Sequence, residues 1–188
     1  MIVADKSLFQ IFTYEFLEGN AATALDDPQS IVITESLAKT LFGSAALAMG
    51  QPVVFPGNTP AHVTAVIRDI PQNAQLRFRG VRPMQAGYTS GWQSANLYTY
   101  LLLKSPAGIT SLRAGLPAFA ARTIRKEMQA TEYQLELQPL LSIHLHSNLD
   151  YEISANGSIS RVYIFSGIAL LILLIAIINY INLATARS

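Results

Sequence analysis

The residues best suited to bind a metal ion lie near the carboxyl end of the 188-residue chain. His144 and His146 are two positions apart, and Asp150 follows them. In a β-strand, side chains at i and i+2 point to the same face, so this spacing permits a shared coordination position. No further acidic or histidine cluster completes a coordination shell, so we favour a structural role and expect no metal and no other cofactor.

Two pairs of carboxylates are the candidates for acid–base catalysis: Asp26 with Asp27, and Glu15 with Glu18. Such catalysis needs one carboxyl group to be desolvated, so that its pKa rises. Both pairs stand in polar, turn-like sequence, which disfavours desolvation. The chain also lacks cysteine, the G-x-S-x-G elbow and the G-x-x-x-x-G-K-[ST] phosphate loop. We therefore predict that it is not an enzyme and does not bind ATP in the Walker manner.

A basic run beside a proline-containing loop consists of Arg68, Arg77, Arg79 and Arg82. These side chains could contact an acidic partner or lipid headgroups, but we favour a solvated strand face. The net charge of +1 argues against a nucleic-acid-binding protein, which needs a strongly basic surface.

The longest apolar segment runs from Val162 to Ala186 without a single Asp, Glu, Lys or Arg. A helix of about 20 apolar residues spans a bilayer core of ~30 Å. A core helix of a soluble protein usually carries a polar stripe, and none runs through the middle of this segment. We therefore predict one transmembrane helix within residues 161–188. Its flanks carry Arg161 and Arg187, one on each side, so the positive-inside rule leaves the orientation open.

Four positions in this helix are candidates for packing against other membrane helices: Asn179, Asn182, Ala176 and Gly167. The two asparagines share a helix face at i, i+3. Amide side chains can hydrogen-bond between helices, and small residues permit close approach. The alternative is that the asparagines reach the membrane edge and stay hydrated. The packing interpretation, which we favour, implies neighbouring spans.

The first 160 residues have the pattern of an α+β domain with a mixed sheet. Strands are predicted at 30–34, 51–55, 61–70, 75–80, 96–104 and 132–140. Helices are predicted near 8–12, at 35–42 with Leu37, Leu41 and Phe42 as the apolar face, and at 110–128. Thr34 and Gly43 are the expected caps of the helix at 35–42, and Pro117 is expected to kink or restart the helix at 110–128. Residues 80–95 are predicted to form a long irregular loop.

Three pieces of the sequence resemble the MacB/FtsX-type ABC transporter permeases. The opening, from "ADKSLFQIF" through "FLEG" to "TESLAKTLFG", is similar to the start of their periplasmic core domain. "VTAVIRDIPQNAQLRF" is similar to the pattern V-x-G-V-x-x-D-x-P-x-N-S-H-x-x-F, with Ala65 in place of glycine and Ala74-Gln75 in place of Ser-His. The stretch from "LQPLLSIHLH" to the end resembles the close of that domain and the start of the permease transmembrane domain.

The resemblance implies a division of the chain and a set of partners. Residues 1–160 would be a MacB-like periplasmic core domain, with an inserted subdomain at about 80–130, and 161–188 the first helix of an FtsX-like permease domain. The chain would be a fragment of a permease subunit in the bacterial inner membrane, with residues 1–160 periplasmic. Expected partners are a separate cytoplasmic ABC ATPase, a second permease copy or paired permease, membrane lipid and a periplasmic protein. The alternative is a tail-anchored extracytoplasmic binding or sensor domain.

Overall fold

The computed structural model describes residues 1–56, 59–85, 97–129, 132–147, 149, 152–153 and 157–186. The chain forms two compact units, Met1–Leu137 and Gln138–Ser188. The first holds a mixed sheet with helices, and the second holds a long apolar helix with the segment that leads into it. The α+β class predicted from the sequence is confirmed.

The sheet of the first unit has six strands among the described residues, in the order β1-β6-β3-β5-β2, with β4 also on β5. Pairing is parallel for β1 with β6 and for β3 with β5, and antiparallel for the other pairs. β4 pairs with the first half of β5 and β2 with its end, so the two share one edge of that strand. The strands are β1 Ile2–Ala4, β2 Phe16–Glu18, β3 Ser30–Thr34, β4 Pro52–Phe55, β5 Thr59–Ile67 and β6 Gly80–Pro83.

The helices of the first unit follow the strands closely in sequence. They are α1 Leu8–Ile11, α2 Glu35–Phe42, α3 Ala45–Ala48, α4 Gly108–Phe119 and α5 Lys126–Met128, with π-helical turns at Ala120–Arg125. The second unit has a 3₁₀ turn at Leu140–Ser142, α6 Ile143–His146 and α7 Ile159–Ala186.

The core lies between α2, α3 and one face of β3 and β5. All five residues of β3 are buried, as its three consecutive apolar residues, Ile31 to Ile33, predict for a central strand. Ile31 and Ile33 pack in a cluster with Ala38 of α2 and Ala48 of α3. The predicted apolar face of α2 was wrong at Leu41, which is exposed, whereas Ala38 is buried completely. A small side chain at this position lets the helix approach the sheet closely.

A β-bulge interrupts the alternation expected along β5. Ile31 pairs with Val63 and Val32 with Ala65, so Thr64 is the extra residue. Val63 and Val66 therefore both face the α2–α3 cluster, which differs from the strict alternation of the sequence. The Thr64 hydroxyl donates to the carbonyl of Ala24 at 2.7 Å.

Gly19 packs directly on this bulge. Its φ is +84°, and a Cβ at this position would lie 2.5 Å from the Thr64 carbonyl oxygen and 2.6 Å from Ala65 Cβ. Only glycine combines this backbone conformation with so close an approach. The Leu-Glu-Gly turn of the sequence is thus tied to the shape of the neighbouring strand.

The amino terminus of α2 is capped by a residue distant in sequence. Thr34 occupies the N-cap position, as predicted, but its side chain makes no capping bond to the helix. The Asp69 carboxylate, two residues after β5, accepts a hydrogen bond from the Ser36 N–H at 3.0 Å and another from the Ser36 hydroxyl. These bonds from Ser36 lower the pKa of Asp69. Asp69 thereby joins the end of β5 to the start of α2.

Four of the strand and loop predictions were wrong. Residues 75–79 form no strand, whereas Gly80–Pro83, predicted to begin a loop, form β6 between β1 and β3. Residues 97–103 form no strand although their composition is strongly β-prone. Residues 132–138 form no β-strand either, although exposed and half-buried side chains alternate along them as predicted. Composition marks residues that suit a pleated surface, but a strand also needs a partner with free backbone groups.

Pro117 lies inside α4 without ending it. Proline has no N–H, so one helical hydrogen bond is missing upstream of it. Three residues later the helix widens into the π-helical turns, and the Ala120 N–H donates to the carbonyls of both Leu116 and Pro117. Ala120 and Ile124 of these turns are fully buried.

Candidate membrane-spanning helix and its connecting segment

α7 is a continuous helix of 28 residues, about 42 Å long at 1.5 Å per residue. It is the one helix among the described residues that is long and apolar enough to cross a membrane. Its large aliphatic and aromatic side chains are exposed along the whole length. An apolar surface of this extent is not stable in water and needs lipid or other helices around it.

The candidate packing residues occupy different parts of the α7 surface. At about 100° per residue, Asn179 and Asn182 lie about 60° apart, and Ala176 lies about 60° beyond Asn179. Gly167 falls about 180° from Ala176, so these four positions do not form a single face. A Cβ at Gly167 would meet nothing within 4 Å. The proposed role of these residues in helix packing stays a prediction.

Thr185 was not singled out from the sequence, although it lies one turn from Ile181. Its hydroxyl donates to the carbonyl oxygens of Ile181 at 2.8 Å and Asn182 at 3.1 Å. The helix backbone thus satisfies the hydroxyl, as is usual for threonine in an apolar helix. A hydroxyl-bearing residue in a largely apolar run is the signal that could have identified it.

The residues before α7, numbered 138–158 and here called the connecting segment, are held by specific contacts where the structure describes them. Ser147 is buried and its hydroxyl donates to Glu152 Oε1, which also accepts from the Leu149 N–H at 3.4 Å. A Cβ on Gly157 would lie 3.2 Å from Leu145 Cδ2, so Gly157 packs closely on α6. The approach to α7 is therefore a folded turn in these places. The predicted turn residue Asn156 lies outside the described residues.

The candidate metal ligands do not assemble into a site in the described part of the chain. Residues 143–146 are helical rather than extended, so His144 and His146 point about 160° apart and cannot share a ligand position. Asp150 lies outside the described residues. No group of three His, Cys, Asp or Glu residues that could hold a metal ion exists among the residues described.

The carboxylates are used in hydrogen bonds and ion pairs at the surface. Glu15 forms a two-point contact with Arg68, with distances of 2.6 Å to Nε and 2.7 Å to Nη2. The hydrogen bond from Arg68 lowers the pKa of Glu15, the opposite of what a general acid needs. Asp27 Oδ1 accepts from the Gln29 N–H at 2.7 Å, and Asp26 lies 3.8 Å from the Lys6 ammonium. No desolvated carboxylate pair forms from these residues.

The four arginines do not act as one patch. Arg68 is paired with Glu15, and the Arg82 guanidinium lies 4.5 Å from the centre of the Phe55 ring. Arg77 and Arg79 are exposed, between the buried residues Leu76, Phe78 and Gly80. The interpretation favoured from the sequence, a solvated face, therefore applies to Arg77 and Arg79.

An aromatic cluster around Tyr14 was not expected from the sequence. Phe9 and Phe78 lie with ring centroids 5.8 and 5.3 Å from that of Tyr14, and Phe9 also contacts Phe16 at 5.0 Å. Burial, with a smaller effect of Tyr100, raises the pKa of Tyr14 to about 12. The neutral phenol donates to the Leu76 carbonyl at 3.4 Å. Tyr14 therefore has a structural role in connecting residues far apart in sequence.

Comparison with known proteins identifies the first unit. Residues 1–119 match the family described as the MacB-like periplasmic core domain. The chain belongs to this family. The match includes all six described strands and α1 to α4, and it confirms the resemblance to a MacB-like periplasmic core domain seen in the sequence. A search of curated proteins found no match.

Two solved structures are similar to the chain. A domain of a candidate permease protein from Porphyromonas gingivalis aligns with a TM-score of 0.51 and 20% identity, over 75% of this chain and 69% of that one. At this identity the likeness shows a shared fold. The periplasmic region of MacB from Actinobacillus actinomycetemcomitans aligns with a TM-score of 0.39 and 16% identity, over 69% of this chain and 64% of that one.

Proposed function

We propose that this chain is part of an ABC transporter permease subunit, in which an extracytoplasmic MacB-like domain is coupled through α7 to a separate cytoplasmic ATPase. The observation that carries the proposal is the family match over residues 1–119 in a chain whose second unit contains a helix able to cross a membrane. Export of a substrate, or mechanical action on a periplasmic partner, is the output this architecture serves. ATP hydrolysis would take place in the partner subunit.

The connecting segment supports a mechanical role for α7. Movement of a membrane helix reaches an outer domain only if the residues between them resist bending. The contact of Gly157 with Leu145 and the hydrogen bond from Ser147 to Glu152 provide such resistance where the segment is described. A long unstructured linker would instead absorb the displacement as chain entropy.

Affinity purification from the native host tests the proposed ATPase partner. The full chain, tagged and solubilised from membranes in mild detergent, is expected to co-purify a protein with a Walker phosphate loop and to carry ATPase activity. Ile172→Asp at the centre of α7 should cost about 2.5–3.5 kcal/mol of membrane insertion and reduce both signals. Ile172→Leu is the matched control and should leave both signals unchanged.

Two results would contradict the proposal. If the chain is recovered from membranes without any nucleotide-binding protein, the extracytoplasmic binding or sensor domain becomes the better interpretation. If the chain is recovered from the soluble fraction, α7 does not span the membrane and the coupling mechanism fails.

A further inference from the structure

The connecting segment exposes two adjacent leucines close to the start of α7. Leu141, in the 3₁₀ turn Leu140–Ser142, is 97% exposed, and Leu140 is also exposed. A leucine so fully exposed has no packing role among the described residues of the second unit. The pair therefore requires an explanation outside the contacts of the folded unit.

The position of the turn relative to α7 follows from one contact. Gly157, two residues before α7, packs on Leu145, because a Cβ there would lie 3.2 Å from Leu145 Cδ2. Leu141 precedes Leu145 by one helical turn, which places it about 6–8 Å away along the chain. The leucine pair is thus held near the end of the helix rather than far out on a flexible loop.

The length of α7 determines how deep the start of this helix lies in a bilayer. A helix of 28 residues exceeds a hydrocarbon core of ~30 Å by about 12 Å, or about 6 Å on each side if it is centred. The start of α7 then lies at the level of the lipid headgroups, a layer about 5–8 Å thick on each side. The Leu140–Leu141 turn lies within reach of the same layer.

The composition of the surrounding residues fits a lipid surface. From Gln138 to Leu149 the sequence contains no Asp, Glu, Lys or Arg, so the turn itself has no formal charge to desolvate when it contacts lipid. The carboxylate of Glu152, which contacts this stretch, accepts hydrogen bonds from Ser147 and Leu149. A folded turn with apolar side chains on its outside and no charge is suited to the boundary between headgroups and acyl chains. If the turn contacted only water, the side chains of both leucines would stay exposed to solvent.

We propose that the Leu140–Leu141 turn inserts into the headgroup boundary of the bilayer beside the start of α7. The turn would act as a second, shallow membrane contact of the permease, which limits tilting of the connecting segment relative to the membrane surface. This inference rests on the proposed function, because it requires α7 to span the bilayer.

The absence of cysteine from the chain permits a direct test. The full chain with a single Leu141→Cys substitution is labelled with an environment-sensitive fluorophore and reconstituted into phosphatidylcholine vesicles that contain lipids spin-labelled at carbon 5 or carbon 12 of the acyl chain. Gln138→Cys, exposed and polar in the same segment, is the matched control. Ile172→Cys reports separately on insertion of α7.

We expect the label at position 141 to be quenched more by the shallow spin label than by the deep one, and at least about twofold more than the label at 138. The label at 172 should be quenched most by the deep spin label. Aqueous iodide serves as the quencher on the water side. If the label at 172 is quenched by lipid and the label at 141 is quenched only by iodide, the inference is overturned while the membrane span stands. If 172 is not quenched by either lipid, the proposed function itself fails. Quenching at 141 that is unchanged from that at 138 also overturns the inference.

Discussion

At the scale of single residues, the polar groups that suggested chemistry in the sequence are used to connect parts of the fold. Glu15 and Arg68 join the residue before β2 to the end of β5, and Asp69 joins the end of β5 to α2. Tyr14 is buried among phenylalanines and keeps its proton. Hydrogen bonds lower the pKa of Glu15 and of Asp69, and burial raises the pKa of Tyr14, so none of these groups is prepared for proton transfer.

Asp69→Asn should remove a pH-dependent contribution to stability. The folded-state pKa of Asp69 is lowered, so the carboxylate stabilises the fold above its unfolded-state pKa of about 4, and the contribution is lost as the pH falls through the folded pKa. Asp69→Ala should cost about 1 kcal/mol at neutral pH, and Asp69→Asn less, because the amide still accepts a hydrogen bond. Urea unfolding of the full chain in detergent, from pH 7 downward, measures this.

Asp26→Asn is the matched control, because Asp26 is an exposed carboxylate 3.8 Å from the Lys6 ammonium and contacts of this kind contribute little. Retention of the parent's acid sensitivity by the Asp69→Asn variant would show that another carboxylate is responsible.

Two hydroxyl groups in neighbouring strands, one fully buried and one half-buried, should respond oppositely to removal. Ser30 in β3 is fully buried, and its hydroxyl has no hydrogen-bond partner among the described residues. Ser30→Ala should therefore be neutral or stabilising by up to about 1 kcal/mol. Thr64→Val should destabilise by about 1 kcal/mol, because its hydroxyl donates to the carbonyls of Ala24 and Ile31.

Thermal unfolding followed by circular dichroism compares the two variants in the same background. Destabilisation by Ser30→Ala that matches that by Thr64→Val would contradict the assignment of Ser30 as an unpaired group.

At the scale of elements, local pattern and tertiary pairing disagree in several places. Residues 97–103 and 132–138 have strand-like composition, but the sheet takes β1, β2 and β6 from short segments instead. The bulge at Thr64 changes which side chains of β5 face the helices. Which segments form strands, and which side chains of a strand face the helices, depends on backbone partners that are distant in sequence. A local pattern contains no information about those partners.

Gly19→Ala should be among the most damaging small substitutions in the first unit. It combines a positive φ with a Cβ 2.5 Å from the Thr64 carbonyl oxygen, and we expect a loss of about 3 kcal/mol in the free energy of unfolding. Gly43→Ala is the control, since Gly43 has a φ of +88° but nothing within 4 Å of the added Cβ. It should cost only the backbone strain, about 1 kcal/mol.

Urea titration of the parent protein, Gly19→Ala and Gly43→Ala separates backbone strain from steric clash. Both variants have the strain and only Gly19→Ala has the clash, so the difference between their free energies of unfolding isolates the clash. Equal losses at both glycines would mean that the approach of Gly19 to the bulge does not determine stability.

Asn179→Leu should leave insertion of α7 intact and weaken its association with other membrane helices. An interhelical amide bond contributes about 0.6–2 kcal/mol, and leucine cannot replace it. A photo-crosslinker at Ile175, about 40° from Asn179 on the helix surface, reports on the neighbouring helix in native membranes. Ile177→Leu, about 160° from Asn179, is the control and should not change the yield. Unchanged crosslinking in Asn179→Leu would place the asparagine outside the contact.

At the scale of the whole molecule, the family match and α7 together are consistent with a membrane-anchored domain. The matched residues 1–119 lie in the first unit, and α7 lies in the second. The chain thus combines a MacB-like periplasmic core domain with a helix long and apolar enough to cross a membrane, whereas the proposed energy source is a different protein.

The orientation of the chain in the membrane is a prediction at this scale. With residues 1–160 outside, Lys104→Cys, exposed in the first unit, should react with a membrane-impermeant maleimide in intact spheroplasts. Ala184→Cys, near the other end of α7, should react only after the membrane is permeabilised. The reverse pattern would place the MacB-like domain in the cytoplasm and exclude the proposed mechanism.

The sequence alone determined the features that depend on local chemistry. The apolar run ending at Ala186 predicts a long exposed helix, "SIVIT" a buried strand, and Gly43 the end of α2, because composition and backbone preference act within a few residues. The family resemblance also came from short motifs. Tertiary structure decided the rest: β6 as an inner strand, the helical turn at His144 and His146, and the cap from Asp69 to α2. The place of β6 and the cap from Asp69 depend on groups brought together from distant positions, where the pairing of backbone and side chains, rather than local propensity, lowers the free energy.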